Sequence, residues 1–323
     1  MKTKPGIPGL RTALTMFSPA GRRAKLSTLI YHRVLPEPDP LRTGDPDADT
    51  FRWQMALLAR HFNVLPLPEA ARRLRDGTLP ARAACVTFDD GYADNFTIAL
   101  PILQEAGIPA TCFVATAYLD GGRMFNDTLI ELAARLPDGR HDFSSIGLGE
   151  RALAGTDDRR ALVSALIGKF KYFDPAERAA TVEALAASFG VCLPNDLMMS
   201  ADQLRALHAA GMEIGGHTDT HPILALLDPE RAREEILAGR KRLEALIAAP
   251  VRVFAYPNGR PGKDYRAEHA ALVSQCGFEA AVSTVPTTAT TASSAFELPR
   301  FTPWDRTPGR FGLRLLHALV TSR

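Results

Sequence analysis

The chain has 323 residues, of which 46% are apolar and 23% charged, with a formal net charge of +2. That is the composition of an ordinary globule, with enough chain to bury one sizeable α/β core. Acids and bases are interspersed, which gives no basic stripe for nucleic acid, and no run of about 18 apolar residues is present to cross a bilayer.

Residues 1–25 carry Lys2, Lys4, Arg11, Arg22, Arg23 and Lys25. Between the charges, Thr12 to Ala20 contains two Thr, a Ser and a Pro, a poor apolar core for a secretion signal. No convincing small-residue cleavage site follows. The stretch reads as a basic leader or a short surface helix. It fits a cytoplasmic protein that touches an anionic membrane surface.

Leu26 to Tyr31 then reads as a buried strand, and Phe51 to His61 as a helix with Thr50 as its N-cap. Ala84 to Phe88 is a second short strand. Asn95 to Glu105 puts Phe96, Leu100 and Leu103 on one helical face, and Gly107 and Pro109 stop it. Ala110 to Val114 is the next strand. Asn126 to Asn195 breaks the rhythm. It holds helical segments at Thr128–Arg135, Asp157–Tyr172 and Pro175–Phe189, a loop at Pro137–Arg151, and no good strand. We expect a helical insertion here, sized for a lid or an interaction surface, rather than an independent domain.

The alternation resumes with helices at Ala201–Ala210, Pro229–Ala248 and Lys263–Gln275 and strands at Met212–Gly215, Val251–Ala255 and Ala280–Ser283. Leu298–Phe301 reads as a last strand and Thr284–Ser294 as an exposed loop. Such alternation predicts a parallel sheet, open or closed into a barrel. Cys85, Cys112, Cys192 and Cys276 form no close pair and read as buried reduced thiols.

Two constellations carry chemistry. Thr87-Phe88-Asp89-Asp90-Gly91 follows an apolar strand, where α/β folds place their sites. Adjacent carboxylates repel, so keeping both ionised calls for a cation or a strong donor nearby. An isolated Asp-Asp-Gly would more often be a plain turn. Gly215-Gly216-His217-Thr218-Asp219-Thr220-His221-Pro222 offers two histidines spaced to share one ion. Its glycines permit close backbone approach. Together the two segments supply an Asp-His-His set that leaves positions open for water.

Thr-Phe-Asp-Asp-Gly followed much later by His-Thr-x-x-His resembles the polysaccharide deacetylase, or NodB-homology, family (carbohydrate esterase family 4). The resemblance runs roughly from Leu26 to Phe301, broken by the insertion. It implies an α/β fold of the deformed (β/α)7-barrel type. It assigns Asp89 as catalytic base and Asp90, His217 and His221 as ligands of a divalent metal. Zinc is expected first, and cobalt, nickel, manganese and iron are the alternatives. Phe254-Ala255-Tyr256-Pro257-Asn258-Gly259 is similar to the family's third motif, in which the backbone amide after the Pro helps form an oxyanion hole; Asn258 takes that position. Many members carry an Arg earlier in this motif, where this chain has Ala255. Arg300, in Leu298-Pro299-Arg300, is then the candidate to orient the base, with a structural salt bridge as the competing reading.

A general acid is also required, because the amine leaves badly as an anion. His317 in Leu315-Leu316-His317 matches the family's late motif in letters but lies in an amphipathic run near the end of the sequence. His32 in Tyr31-His32-Arg33-Val34 is preferred: it ends the first strand and resembles the branch with permuted motif order. A packing role is the plainer reading. The other histidines, His61, His141, His208 and His269, read as surface or structural. Gly259 to Lys263 is too short for a phosphate-binding loop, and no Gly-x-Ser-x-Gly elbow is present.

The resemblance implies a metal-dependent hydrolase of carbon–nitrogen bonds other than peptide bonds. Its partner would be an N-acetylated glycan: a polysaccharide such as an exopolysaccharide, an oligosaccharide or a lipid-linked precursor. A deformylase or other amidase on the same fold, and a catalytically silent glycan-binding protein, are the alternatives.

Overall fold

The computed structural model describes residue 7 and residues 9–322, so Lys2 and Lys4 of the leader lie outside the described residues. Helix α1 (Leu10–Phe17) precedes the first strand, β1 (Leu26–Tyr31). Then come α2 (Ala48–His61), β2 (Asn63–Val64), α3 (Leu67–Arg75), β3 (Ala83–Phe88), α4 (Leu100–Ala106) and β4 (Ala110–Val114). The insertion holds α5 (Phe125–Arg135), β5 (Gly139–Asp142), β6 (Glu150–Leu153), α6 (Thr156–Phe170) and α7 (Pro175–Ser188). The chain returns through α8 (Ala201–Ala209), β7 (Glu213–Gly216), α9 (Pro229–Ile247), β8 (Val253–Ala255), α10 (Ala267–Gln275), β9 (Ala280–Val282) and α11 (Pro308–Thr321).

The main sheet is parallel in the order β1-β3-β4-β7-β8-β9, with β2 also on β3. It curls into the expected deformed barrel. Leu298–Phe301 is not a regular strand. It forms isolated bridges, Val282 to Leu298 on one side and Leu29 to Phe301 on the other, and so links the two edges of the sheet.

Strands β1, β3 and β4 are buried along their whole length, so their sequences run apolar without clear alternation. Two cores result. One lies between sheet and helices and includes Phe51, Met55, Phe88, Ile214 and Phe254. The other fills the barrel, where Ala83, Cys85, Phe113, Val253 and Val282 meet. Phe113 occupies so much of that interior that a Cβ on Gly215 would stand 2.3 Å from its ring. This is a close approach only glycine allows.

Several boundaries differ from expectation. The N-cap of α2 is Asp47, whose side chain accepts from Thr50 N at 2.7 Å, because Asp47 has the extended backbone a cap needs. The expected loop at 137–151 contains the antiparallel β5–β6 hairpin; its residues are mostly exposed and polar, so no apolar run announced it. The insertion has its own apolar cluster, including Leu129, Phe143, Leu166 and Phe170. Cys192 is exposed, while Cys85, Cys112 and Cys276 are buried and free. In the leader, Leu10 and Leu14 of α1 are buried in the main core.

Candidate active site

The site follows from the period of two in parallel strands. In β3, Ala83 and Cys85 face the barrel interior. Thr87 continues that series within the strand and Asp89 just past its C-terminal end, while Asp90 turns away. Leu298 faces the interior beside β9, and Arg300 continues its series in turn. The two series meet.

Arg300 is fully buried and binds Asp89 through both terminal nitrogens, Nη1 to Oδ1 at 2.7 Å and Nη2 to Oδ2 at 2.8 Å. Two further donors are taken by the Ser283 carbonyl and Thr87 Oγ1, each at 3.1 Å. This fixes one rotamer of the Asp89 carboxylate and engages four of the five guanidinium N–H donors. Burial pushes the Asp89 carboxyl up, but the Arg300 guanidinium outweighs it, helped by His217 and His32. The carboxyl is therefore held below the usual range and stays ionised.

Asp90 adopts φ 78° and so points opposite to its neighbour. Its Oδ1 is buried with no hydrogen-bond partner, at 3.4 Å from Nε2 of both His217 and His221. The three ligand atoms lie within 4.8 Å of one another. Ligand atoms about 2.1 Å from a shared tetrahedral ion sit roughly 3.4 Å apart, so this orphaned oxygen and its neighbours fit a cation. His217 Nδ1 lies 2.7 Å from the Ala255 carbonyl, which places the proton on Nδ1 and turns Nε2 to the ligand position. Burial pushes the His221 imidazole down to about 3, so it is neutral and available as a ligand at pH 7. Burial also lowers His217, but the two carboxylates outweigh it and raise its pKa; its proton balances charge that a cation would balance instead.

The loop that carries the histidines is held from behind. Glu235 on α9 accepts from the amides of Asp219 and Thr220 at 3.1 and 2.8 Å, and from Thr220 Oγ1 at 2.7 Å. Thr116 Oγ1 donates to Asp219 at 2.5 Å. Gly239 lets α9 approach, since a Cβ there would stand 2.6 Å from the Thr218 carbonyl oxygen. Seven non-glycine residues among those described have positive φ, and four are Asp90, Thr218, His221 and Asn258. Left-handed backbone is costly for such residues and persists where the surroundings over-determine it, most often at functional sites.

Asn258 follows β8 with φ 61°, half-buried, and Thr284 Oγ1 donates to its carbonyl at 2.9 Å. His32 leaves β1 beside the two aspartates, close enough for its charge to lower both carboxyls. Its carbonyl accepts from Asn95 Nδ2 at 2.9 Å, and the next residue, Arg33, pairs with Asp94 at 2.7 Å. His317 stands exposed on α11, and no contact joins it to the aspartates among the described residues. The structure thus brings together Asp89, Asp90, His217, His221, Arg300 and His32, sets Asn258 on the same rim of strand ends, and leaves His317 apart. Sequence reasoning missed Thr87 as a partner of Arg300, Glu235 and the Ala255 carbonyl. None of them has a signal in the sequence: Glu235 is one of several acids on an amphipathic helix, and a carbonyl has no letter.

Residues 76–153 and 156–281 match the family model described as polysaccharide deacetylase. A protein of Bacillus subtilis (strain 168), YxkH, named provisionally as a polysaccharide deacetylase, is 32% identical over 93 residues, 28% of this chain. The match spans about a third (32%) of that curated relative's length. Among solved structures, Streptococcus pyogenes deacetylase PplD in complex with acetate superimposes with a TM-score of 0.60 at 18% identity, covering 92% of this chain and 98% of that one. IcaB from Ammonifex degensii gives 0.56 at 20% identity, covering 94% and 98%. The polysaccharide deacetylase BC0361 from Bacillus cereus gives 0.58 at 16%, covering 90% and 69%. These likenesses establish the fold.

Proposed function

The chain belongs to the polysaccharide deacetylase family, and on that premise we propose that it is a metal-dependent hydrolase removing N-acetyl groups from amino sugars of a glycan. One observation carries the reading: the buried, unpartnered Oδ1 of Asp90 faces two imidazoles at 3.4 Å, beside a second carboxylate that Arg300 keeps ionised.

A divalent cation held by Asp90, His217 and His221, zinc first and cobalt, nickel, manganese or iron otherwise, would polarise the acetamido carbonyl and acidify a water. Asp89 accepts the proton of the attacking water. Each of its oxygens accepts one bond from Arg300 and keeps further acceptor capacity. A carboxylate held this acidic is a weak base, so it suits only a water that is itself acidic. The backbone amide of Asn258 donates to the oxyanion of the tetrahedral intermediate. His32 gives its proton to the departing nitrogen, and acetate and a free amine result.

The substrate class is a polysaccharide, including exopolysaccharide, an oligosaccharide or a lipid-linked precursor. A cytoplasmic location with peripheral contact to an anionic membrane is part of the proposal; six cations and no carboxylate in residues 1–25 support the contact. No described helix is long and apolar enough to cross a membrane. The test is a screen of purified protein against N-acetylated glycans, with acetate release as the readout. Formate release from a formylated sugar without acetate release would instead make it a deformylase. No turnover and no bound metal would leave a silent glycan binder.

A further inference from the structure

Six of the chain's 38 Lys and Arg fall in residues 1–25 and four in residues 306–323, and none of its 36 Asp and Glu falls in either. The rest of the chain is therefore net acidic. The fold brings the described parts of these two segments together. Leu10 and Ile7 pack on Gly312, where a Cβ would meet them at 3.0 and 2.6 Å. Ser18, which ends α1, hydrogen-bonds Lys25, and Lys25 Nζ donates to the Leu319 and Ser322 carbonyls at 2.7 and 2.8 Å, capping α11. The ends of α1 and α11 thus lie side by side.

This helix pair, with Trp304 just before α11, also carries most of the exposed large apolar side chains. Of the seven large apolar side chains exposed among the described residues, five are here: Met16 (69%), Leu313 (63%), Trp304 (61%), Val320 and Phe17. Helix α11 buries Phe311, Leu315 and Leu319 on its inner face. On its outer face Leu313 and Val320 are two turns apart, with half-buried Leu316 beside them, and exposed Arg310 flanks that stripe. The outward side is thus itself divided into an apolar stripe and a basic edge. Burial and the neighbouring Arg11 charge both push the Arg82 guanidinium down; of the α11 cations, Arg314 is paired with Asp305, which leaves Arg310 as the cation beside the stripe.

An outward apolar stripe bordered by cations, on helices too short and polar to insert, is the surface that lies in the headgroup region of an anionic bilayer. We propose that α1 and α11 together form a docking face for an anionic lipid membrane. This rests on the peripheral-contact reading above and not on the catalytic one. The face reaches toward the active-site rim. Tyr31, at the end of β1 next to His32, donates to Gln54 at 2.9 Å, and Gln54 reaches the Pro303 carbonyl, just before Trp304, at 3.4 Å. A docked chain would hold that rim near the bilayer, where a lipid-anchored glycan is presented.

Co-sedimentation of the 323-residue chain with vesicles of phosphatidylcholine, alone or mixed with phosphatidylglycerol, tests the proposal. Binding is expected only to the mixed vesicles and should fall with added salt. Leu313→Ser with Val320→Ser, and separately Arg11→Glu with Arg310→Glu, should each weaken it at least about tenfold, while circular dichroism and melting stay those of the parent. Equal binding to neutral vesicles, no binding to either, or undiminished binding by both variants would overturn it. So would a concentration-dependent dimer dissolved by the Leu313 and Val320 changes in a chain that ignores vesicles, because the face would then meet a second copy. Vesicle binding without acetate release would leave the docking face standing and remove the deacetylase reading; acetate release without vesicle binding would do the reverse.

Discussion

Asp89 and Arg300, 211 residues apart in the sequence, form a buried two-point ion pair at 2.7 and 2.8 Å. A pair this deep is costly to break singly, because the survivor is left charged without a partner. Arg300→Ala should cost about 3–5 kcal/mol in denaturant unfolding. Arg300→Lys keeps a charge but not the fork, and should fold while losing turnover and shifting the acid limb of the kcat/KM profile upward. Because pairing holds the Asp89 carboxyl low, its stabilisation is present above about pH 4 and is lost as the pH falls further. An unchanged pH profile in Arg300→Lys would make the pair purely structural.

The adjacent carboxylates should separate by experiment. Asp89→Asn is expected to keep one metal per chain and lose turnover by about a hundredfold or more. His217→Ala and His221→Ala should lose metal and activity together. Elemental analysis alongside activity decides; metal loss in Asp89→Asn would mean that both aspartates share the ion.

His32→Ala should retain metal and fold but lose about a hundredfold or more on amide substrates. An activated acetyl ester has a leaving group that needs no proton, so it should suffer far less from His32→Ala than from Asp89→Asn. His317→Ala should be close to neutral. The reverse pattern, with His317 essential and His32 dispensable, would transfer the acid to the late position.

Asp127, at the start of the insertion, is buried between Arg42 at 3.3 Å and Tyr92 Oη at 2.8 Å. Burial raises its carboxyl to about 6, although Arg42 and Tyr92 oppose the shift. A raised folded pKa gives stability that is complete below the unfolded value of about 3.9 and is lost as pH rises through 6, by up to about 3 kcal/mol. Unfolding free energies of the parent chain and Asp127→Asn should therefore diverge between pH 4 and 6 and run parallel above. Parallel curves throughout would show that Asp127 stays ionised.

The sequence by itself determined the local features. Short runs of apolar residues interrupted only by Ser or Thr marked β1, β3 and β4, because a strand buried on both faces needs no polar alternation. The Asp89-Asp90 and His217-x3-His221 spacings marked the segments that the fold brings together at the strand ends, where Asp90, His217 and His221 form a group that could hold a metal ion. It missed the β5–β6 hairpin, whose exposed polar residues carry no periodic signal, and the cap of α2, where Asp47 and Thr50 are both competent in letters. Tertiary structure decided which distant groups meet. Arg300 reaches Asp89 because the 298–301 segment bridges β9 and β1 and its inward series converges with that of β3. Ala255 matters through its carbonyl, and Glu235 through Gly239, which lets α9 approach the histidine loop. Backbone groups and long-range packing have no pattern along the chain; they acquire partners only when the sheet curls and brings its edges together.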